Sequence, residues 1–232
     1  MTGHGCPRGM KPIITLRNLS LVLASITAFQ ATRAQDDPRD LRTLFGQGRE
    51  IEHGGWGGPS THFTSIMGHE ALLVGARGGW LIDHGVTIGI AGHGLVTDVP
   101  NKAYDVHRVA SGDSLRRGSL FRMGYGGLLI EPIIAPKSPV HVSLPVIIGA
   151  GGCGYQTFLR RHDEFDPFTY SDDFQAFFVV EPGIELELNV IKLVRVGLGA
   201  SYRYTTDLDL PETPKDALRG FNAGVTVKVG RF

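Results

Sequence analysis

The chain has 232 residues, of which 32 are Gly and 42% are hydrophobic. Lys and Arg total 23, the same number as Asp and Glu, so the formal net charge is zero. This length suits a single domain with a closed sheet, and the lack of a basic excess argues against nucleic acid as a partner. Cys6 and Cys153 form no CxxC motif or Cys/His cluster. The sequence therefore predicts no structural zinc, and no intrachain disulfide once Cys6 leaves with the leader.

Residues 1–34 are predicted to be a signal peptide. Lys11 and Arg17 precede the apolar run 19–29, and small residues follow up to Ala34, the expected cleavage site. A cationic region, an apolar run of about 7–15 residues and small residues in this order are typical of secretion signals. The alternatives are a signal anchor or a core helix, but the run is shorter than the roughly 20 residues that span a bilayer. We therefore expect an exported protein.

The exported part is predicted to be a polar periplasmic lead-in, residues 35–50, followed by an eight-stranded β-barrel, residues 51–232. The initiator can be Met1 or Met10. Beyond the lead-in, apolar and polar residues alternate with a period of two, which indicates strands, and we expect no helix. The predicted strands are Ile51–Ile66, Ala71–Ile82, Val86–Val96, Ser119–Ile134, Val140–Phe158, a hairpin within Gln175–Tyr204, and Leu218–Phe232.

The predicted connections differ in length between the two ends of the strands. Those after strands two, four and six are short, whereas those after strands three, five and seven are long: 97–118, 160–173 and 206–217. Short periplasmic turns and long outer loops are typical of transmembrane β-barrels. The short turn at 67–69 departs from this pattern.

Alternation in the hairpin 175–204 separates apolar residues such as Leu186 from charged residues such as Glu185 and Arg195. A soluble, lipocalin-like barrel would place the apolar phase inside, and residues 54–56 match the short Gly-x-Trp element of lipocalins. The polar phase, however, is also rich in glycine, which fits a narrow lumen better than a solvent-exposed face. We therefore expect the apolar phase to face lipid.

Charged side chains of the polar phase are predicted to form a network that fills the lumen. Unpaired buried charges cost several kcal/mol, so acids and bases confined in a narrow barrel should pair. The alternative is a solvated surface with ordinary exposed ion pairs. The predicted members are Arg77, Glu181, Glu185, Glu187, Arg195, Arg203 and Lys228.

Aromatic residues are predicted to form girdles at the two membrane interfaces. Trp80 lies toward the short-turn end; Phe121, Phe174, Tyr202, Tyr204 and Phe221 lie toward the long-loop end. The phase of strand four is ambiguous because Glu131 shares parity with Phe121 and Tyr125, and a bulge at Gly126-Gly127 would resolve it. Bulges or strand ends are also expected at Pro132, Pro145 and Pro182, because proline donates no ladder hydrogen bond.

The mature chain resembles the small outer-membrane β-barrel proteins of Gram-negative bacteria, of the OmpA/OmpX size. The resemblance rests on the eight-strand pattern, on a terminal Phe232 and on the stretches Gly-Gly-Trp56-Gly-Gly-Pro, Arg77-Gly-Gly-Trp80, Tyr125-Gly-Gly-Leu and Ile148-Gly-Ala-Gly-Gly. It implies an all-β, up-and-down antiparallel transmembrane barrel with outer-membrane lipid and the barrel-assembly machinery as partners. Phe232 departs from the usual terminal signal, because it is in phase with Lys228 rather than with apolar residues.

Candidate catalytic groups are few, and we predict no catalytic, metal or cofactor site. His162-Asp163-Glu164 is expected in a solvated outer loop, and His93 as a polar filler of the lumen. His141 and Ser143 share a strand face but lie about 7 Å apart, too far for a hydrolytic dyad. No phosphate loop or nucleophile elbow occurs.

The sequence therefore predicts a porin-like outer-membrane barrel with a plugged lumen and a structural or binding role, its extracellular ligand unknown. The alternatives are a lipid-modifying enzyme or a narrow channel, and an exported soluble lipocalin-like barrel.

Overall fold

The computed structural model describes residues 51–159 and 169–232. The predicted signal peptide, the lead-in and His162-Asp163-Glu164 lie outside the described residues. Within them the chain forms ten strands and one helix. In chain order these are β1 (His53–Ile66), β2 (His69–Ile82), β3 (Val86–Leu95), β4 (Val99–Pro100), α1 (Lys102–Ala110), β5 (Leu115–Ile134), β6 (Val140–Ser143), β7 (Val146–Leu159), β8 (Thr169–Ile191), β9 (Val194–Thr205) and β10 (Gly220–Arg231).

Antiparallel pairing closes the sheet into a ring. Each long strand pairs with its sequence neighbour, and β10 returns to β1, with Trp56 opposite Gly230. β6 and β7 occupy one position of the ring, because both lie between β5 and β8. The short β4 pairs only with the outer end of β5. The ring thus has eight positions, which confirms the predicted all-β antiparallel barrel.

Side chains alternate between a polar interior and an apolar exterior. Glu185 is 3% exposed whereas its neighbour Leu186 is 52% exposed, and the same alternation runs through β9 and β10. The exterior carries Ile90, Leu198 and Val229, all exposed. A barrel that shows this much apolar surface is matched to hydrocarbon rather than to water, so the soluble lipocalin-like alternative is wrong.

The helix α1 was not predicted. Asn101 caps it, because its side-chain oxygen accepts hydrogen bonds from the backbone N–H groups of Ala103 and Tyr104, at 3.1 and 3.3 Å. The helix lies within residues 97–118, which were predicted to be a long polar connection. Among the described residues, no helix is both long and apolar enough to cross a membrane.

The bulge predicted at Gly126-Gly127 is also wrong. β5 and β7 pair without interruption through Gly126 opposite Ala150, and the register shifts occur only between Leu115 and Leu120. The parity that Glu131 shares with Tyr125 is therefore real, and both side chains point inward.

Three prolines lie near one another where β6 gives way to β7. Pro145 occupies the two-residue break between these strands, as expected, and the register with β5 and with β8 is the same on both sides of it. Pro182 lies inside β8 where its ladder with β9 omits two pairs, and Pro132 lies inside β5 opposite Val86. The prolines thus remove ladder bonds without shifting the register.

The outer half of the interior is an apolar core rather than a polar lumen. Ile66, Leu73, Phe121 and Val179 contribute to it from the barrel wall. The segments above the wall add Tyr104 from α1 and, from the connection between β9 and β10, Leu208, Leu210 and Leu218. We call α1 together with residues 206–219 the extracellular cap, after the side of the membrane predicted for the long connections.

Candidate functional site

The interior of the barrel holds the predicted charged side chains of four strands, together with Glu131 of β5. All seven predicted network residues are buried: Arg77 on β2, Glu181, Glu185 and Glu187 on β8, Arg195 and Arg203 on β9, and Lys228 on β10. Inward projection follows from the strand period of two, since residues two apart share a face. The structure divides them into two clusters.

The lower cluster centres on Lys228, which is fully buried. Its ammonium nitrogen lies 2.5 Å from the Glu131 carboxylate and 2.7 Å from that of Glu187. Glu187 also lies 3.0 Å from His141 Nε2 and 3.8 Å from the Arg195 guanidinium. One lysine thus bridges two carboxylates, and each further polar neighbour offsets part of the desolvation cost.

Aromatic rings close the lower cluster toward the periplasm. The Lys228 ammonium lies 4.3 Å from the centroid of the Trp56 ring, whose Nε1–H donates to Thr87 Oγ1 at 3.0 Å. The Arg195 guanidinium stacks on Phe232, 3.9 Å from the ring centroid. Phe232 thus packs under the lumen charges.

The upper cluster contains an ion pair and a densely bonded carboxylate. Arg77 Nη2 lies 2.6 Å from Glu185 Oε2 and also donates to Thr226 Oγ1. Glu181 accepts hydrogen bonds from three neighbours: Tyr125 Oη at 2.5 Å, Ser201 Oγ at 2.6 Å and Asn222 Nδ2 at 3.0 Å. Multiple donors stabilise a buried carboxylate in its charged form.

Arg203 is buried beside this cluster but is held mainly by neutral groups. Its Nε–H donates to the Leu218 carbonyl oxygen at 2.6 Å, and Nη1 lies 3.4 Å from Asn222 Oδ1. The guanidinium also lies 5.8 Å from the centroid of the Tyr125 ring. Arg203 thus links the charged lumen to the start of β10 beneath the extracellular cap.

Sequence reasoning missed Glu131, Tyr125 and His62, which belong to these clusters. Glu131 and Tyr125 were assigned to an ambiguous strand, although their shared parity was the correct signal. His62 on β1 lies 3.5 Å from Glu181. A strict count of alternate residues along β1, starting from Trp56 and passing through Ser60, would have placed His62 on the same face as Trp56.

The lumen histidines do not form a hydrolytic site. His93 lies inside, as predicted; its Nε2 is 2.9 Å from Ser60 Oγ, and its ring stacks on His62 with centroids 4.4 Å apart. Among the described residues no carboxylate bonds to His93, and both Ser60 and His93 are buried. His141 is bonded to Glu187 rather than to Ser143. Within the described ranges, no group of three or more potential ligands is arranged to hold a metal ion.

The upper cluster borders a small cavity. The cavity beside Arg77 and Glu185 has a volume of about 20 Å³, and His62, Glu181 and Thr226 also line it. That volume accommodates roughly one water molecule.

The extracellular cap is joined to the barrel by stacked and hydrogen-bonded tyrosines. Tyr104 of α1 stacks on Tyr155 of β7, with centroids 3.8 Å apart, and its hydroxyl donates to Asp173 at 2.5 Å. Tyr155 Oη lies 2.5 Å from Thr213 Oγ1 and accepts from Asn101 Nδ2 at 2.7 Å. Both segments of the cap therefore contact Tyr155.

The aromatic residues of the exterior cluster at the two ends of the apolar surface. Tyr202 packs against Tyr204 and Phe221, with centroids 4.4 and 4.8 Å away, and Phe174 is exposed. At the opposite end, the exposed Trp80 lies against His53, at 5.2 Å. The assignment of Phe121 to the girdle is wrong: it is 0% exposed and lies in the outer core, because β5 continues in phase through its glycines.

Comparison with solved structures finds the same architecture in bacterial surface proteins. Neisserial surface protein A superposes with a TM-score of 0.51 and 11% identity, over 78% of this chain and 99% of that protein. This chain has the fold of a small outer-membrane β-barrel. The barrel domain of OprF from Pseudomonas aeruginosa (TM-score 0.43, 9% identity, 77% and 96% covered) and Ail of Yersinia pestis (0.37, 10%, 79% and 100%) are further matches. No family model and no curated protein matches the chain.

This outer-membrane barrel fold explains why the charges face inward. In hydrocarbon, only a closed sheet satisfies all backbone hydrogen-bonding groups, and polar side chains must turn to the axis. In an eight-stranded barrel the interior is only wide enough for side chains. The charged clusters accordingly face the axis of the barrel.

Proposed function

We propose that this protein is a closed outer-membrane barrel with a structural or binding role, not a channel. The observation that carries the proposal is Lys228, which is fully buried and bonded to both Glu131 and Glu187 across the barrel axis. A side chain that bridges β5, β8 and β10 obstructs the path a solute would take. The small volume beside Arg77 supports the same conclusion.

A second closure at the outer end supports the proposal. Above the charged clusters, the apolar core includes buried side chains of the cap such as Tyr104 and Leu218. Ions would have to leave water to cross this mostly apolar layer, at a desolvation cost of many kcal/mol. Opening the protein would therefore require both the ion network and the cap to rearrange.

The outer surface of the cap is where we place a binding role. Val106 and Val109 of α1 are exposed, next to the exposed Lys102 and His107. Loops on a rigid scaffold are common sites of recognition. The extracellular ligand itself stays unassigned.

Conductance in planar bilayers tests the closed lumen. The refolded protein is expected to give no unitary current steps, while a wide porin inserted in the same bilayer gives them as a positive control. A variant with Glu131, Glu187 and Lys228 all changed to Ala should also stay closed, because the apolar outer core is intact. Steady ohmic steps from the unaltered protein would show that it is a channel.

Export and assembly complete the proposal. We propose that the leader is removed near Ala34, that the barrel resides in the outer membrane and that the assembly machinery inserts it. The intact mass of protein purified from outer membranes tests the first point, since retention of residues 1–34 would contradict cleavage.

A further inference from the structure

A groove on the outer wall of the barrel has the features of a lipid site. It lies across β5, β7 and β8, has a volume of about 410 Å³, and is lined by Arg122, Gly152, Gly154, Gln156 and Phe174 among others. We propose that it binds an outer-leaflet lipid with an anionic headgroup, the phosphate at Arg122 and an acyl chain beside Phe174. The inference rests on the membrane orientation proposed above but not on closure of the lumen.

The floor of the groove exists because β7 carries glycines at outward positions. A side chain at Gly154 would come within 2.6 Å of the Asp173 carbonyl oxygen, and one at Gly152 would meet the Phe174 ring. The Phe174 ring is 71% exposed and leans over Gly152, so it forms one apolar wall. The shape therefore depends on small residues at two specific places.

Small outward residues continue the groove toward the membrane centre. Gly124 pairs with Gly152, and Gly126 pairs with Ala150 one step further in. On the other side, Ala176 pairs with Gly152. On β5 and β7, larger outward side chains resume at Leu128, opposite Ile148. An acyl chain can lie along this shallow track, with the exposed Phe178 at its side.

The charge at the outer edge of the groove selects an anion. Arg122 donates through Nε to Gln156 at 3.2 Å, through Nη1 to the Thr97 carbonyl oxygen at 3.3 Å and through Nη2 to Asp98 at 2.8 Å. Its guanidinium is therefore held in place, and the remaining N–H on each terminal nitrogen is left for a phosphate. The Asp98 side chain is 67% exposed, and water screens its charge. Asp173 also lines the groove, but its carboxylate accepts from Tyr104 and lies 3.7 Å from Arg108.

The position of the groove matches the interface between hydrocarbon and headgroups. Phe174 lies four residues further along β8 toward the extracellular end than Phe178, which faces lipid. Tyr204 pairs across the ladder with Val180, so the tyrosine girdle meets β8 just below the groove. A phosphate at this level stays hydrated on one side while its chain enters the apolar belt.

Quenching by brominated lipids tests the site. A Trp80→Phe, Phe174→Trp variant places a tryptophan in the groove, and the buried Trp56 supplies a constant background. In vesicles of mixed composition, brominated phosphatidylglycerol should bind beside Trp at 174 about two- to fivefold more strongly than brominated phosphatidylcholine, as expected for a partly exposed ion pair. Adding Arg122→Gln should abolish the preference, whereas adding Arg116→Gln, an exposed arginine further out on β5, should leave it intact.

Any other result of the quenching experiment would contradict a specific part of the proposal. Equal quenching by the two lipids with Arg122 present, or a preference that survives Arg122→Gln, would overturn the anionic site. Absence of quenching by either lipid in the folded variant would instead overturn the membrane orientation. If the tryptophan variant fails to refold, native mass spectrometry of the unaltered protein and its Arg122→Gln form, with equimolar phosphatidylglycerol and phosphatidylcholine, gives the same comparison; no excess of retained phosphatidylglycerol would refute the site.

Discussion

Replacing Lys228 with Met tests whether the lumen network stabilises the barrel. The ammonium nitrogen lies within hydrogen-bonding distance of Glu131 and Glu187 and over the Trp56 ring, and methionine keeps a similar length without the charge. Removing one partner of a buried ion pair leaves an uncompensated charge and costs about 3–5 kcal/mol. Here two carboxylates lose their common partner, so the upper end of that range is expected, moderated by the nearby Arg195.

The free energy of unfolding can be measured by urea titration of the protein refolded into lipid vesicles, with tryptophan fluorescence as the signal. The matched control is Lys192→Met in the exposed turn between β8 and β9, for which a change within about 0.5 kcal/mol is expected. Changing Glu131 alone to Gln in the Lys228→Met background should restore much of the loss, because Glu187 keeps Arg195 as its charged partner and no unpaired carboxylate remains. A loss below about 1 kcal/mol for Lys228→Met alone would refute the reasoning.

Two further predictions concern the wall and the cap. Leu186→Lys, on the lipid-facing side of β8, should destabilise the barrel by about 2–4 kcal/mol if it lies near the bilayer midplane, and the same urea titration measures it; no change would contradict the orientation of this strand. Tyr155→Phe removes the hydroxyl that meets Thr213 and Asn101 and should cost about 1–3 kcal/mol. Faster protease cleavage within residues 206–219 should accompany it, and unchanged cleavage would show that the cap is held by packing alone.

The β8–β9 hairpin shows why much of the wall could be predicted from sequence. Placing the Glu185 carboxylate in hydrocarbon is costly, whereas placing the Leu186 side chain there is favourable. Only one of the two strand faces can therefore contact lipid. The same alternation located most of the buried charges, because phase along a strand fixes the direction of the side chain. Which acid pairs with which base depends on the register between strands. The sequence predicts that register only where a short turn joins the two strands.

β5 shows where this reasoning fails. Phe121 and Tyr125 are aromatic, and aromatic residues suit both a girdle and an apolar core, so their identity does not determine the face. The prediction assumed a polar lumen along its whole length, whereas the outer half is filled by Leu73 and Val179 with side chains from the cap. α1 was missed for a related reason: its stability comes from the Asn101 cap and from Tyr104 packing into the barrel, neither of which is visible in local periodicity.

Because the extracellular cap shares a core with the strands below it, its two segments are part of the folding unit rather than appendages. Substitutions at Tyr104 or Leu218 would disturb the barrel, so sequence change during divergence should concentrate on outward positions such as Val106. Gly112, at the end of α1, has a positive φ of 99° and open space around it. An insertion at this position would meet no neighbouring atoms, so a foreign epitope could be displayed there with little loss of barrel stability.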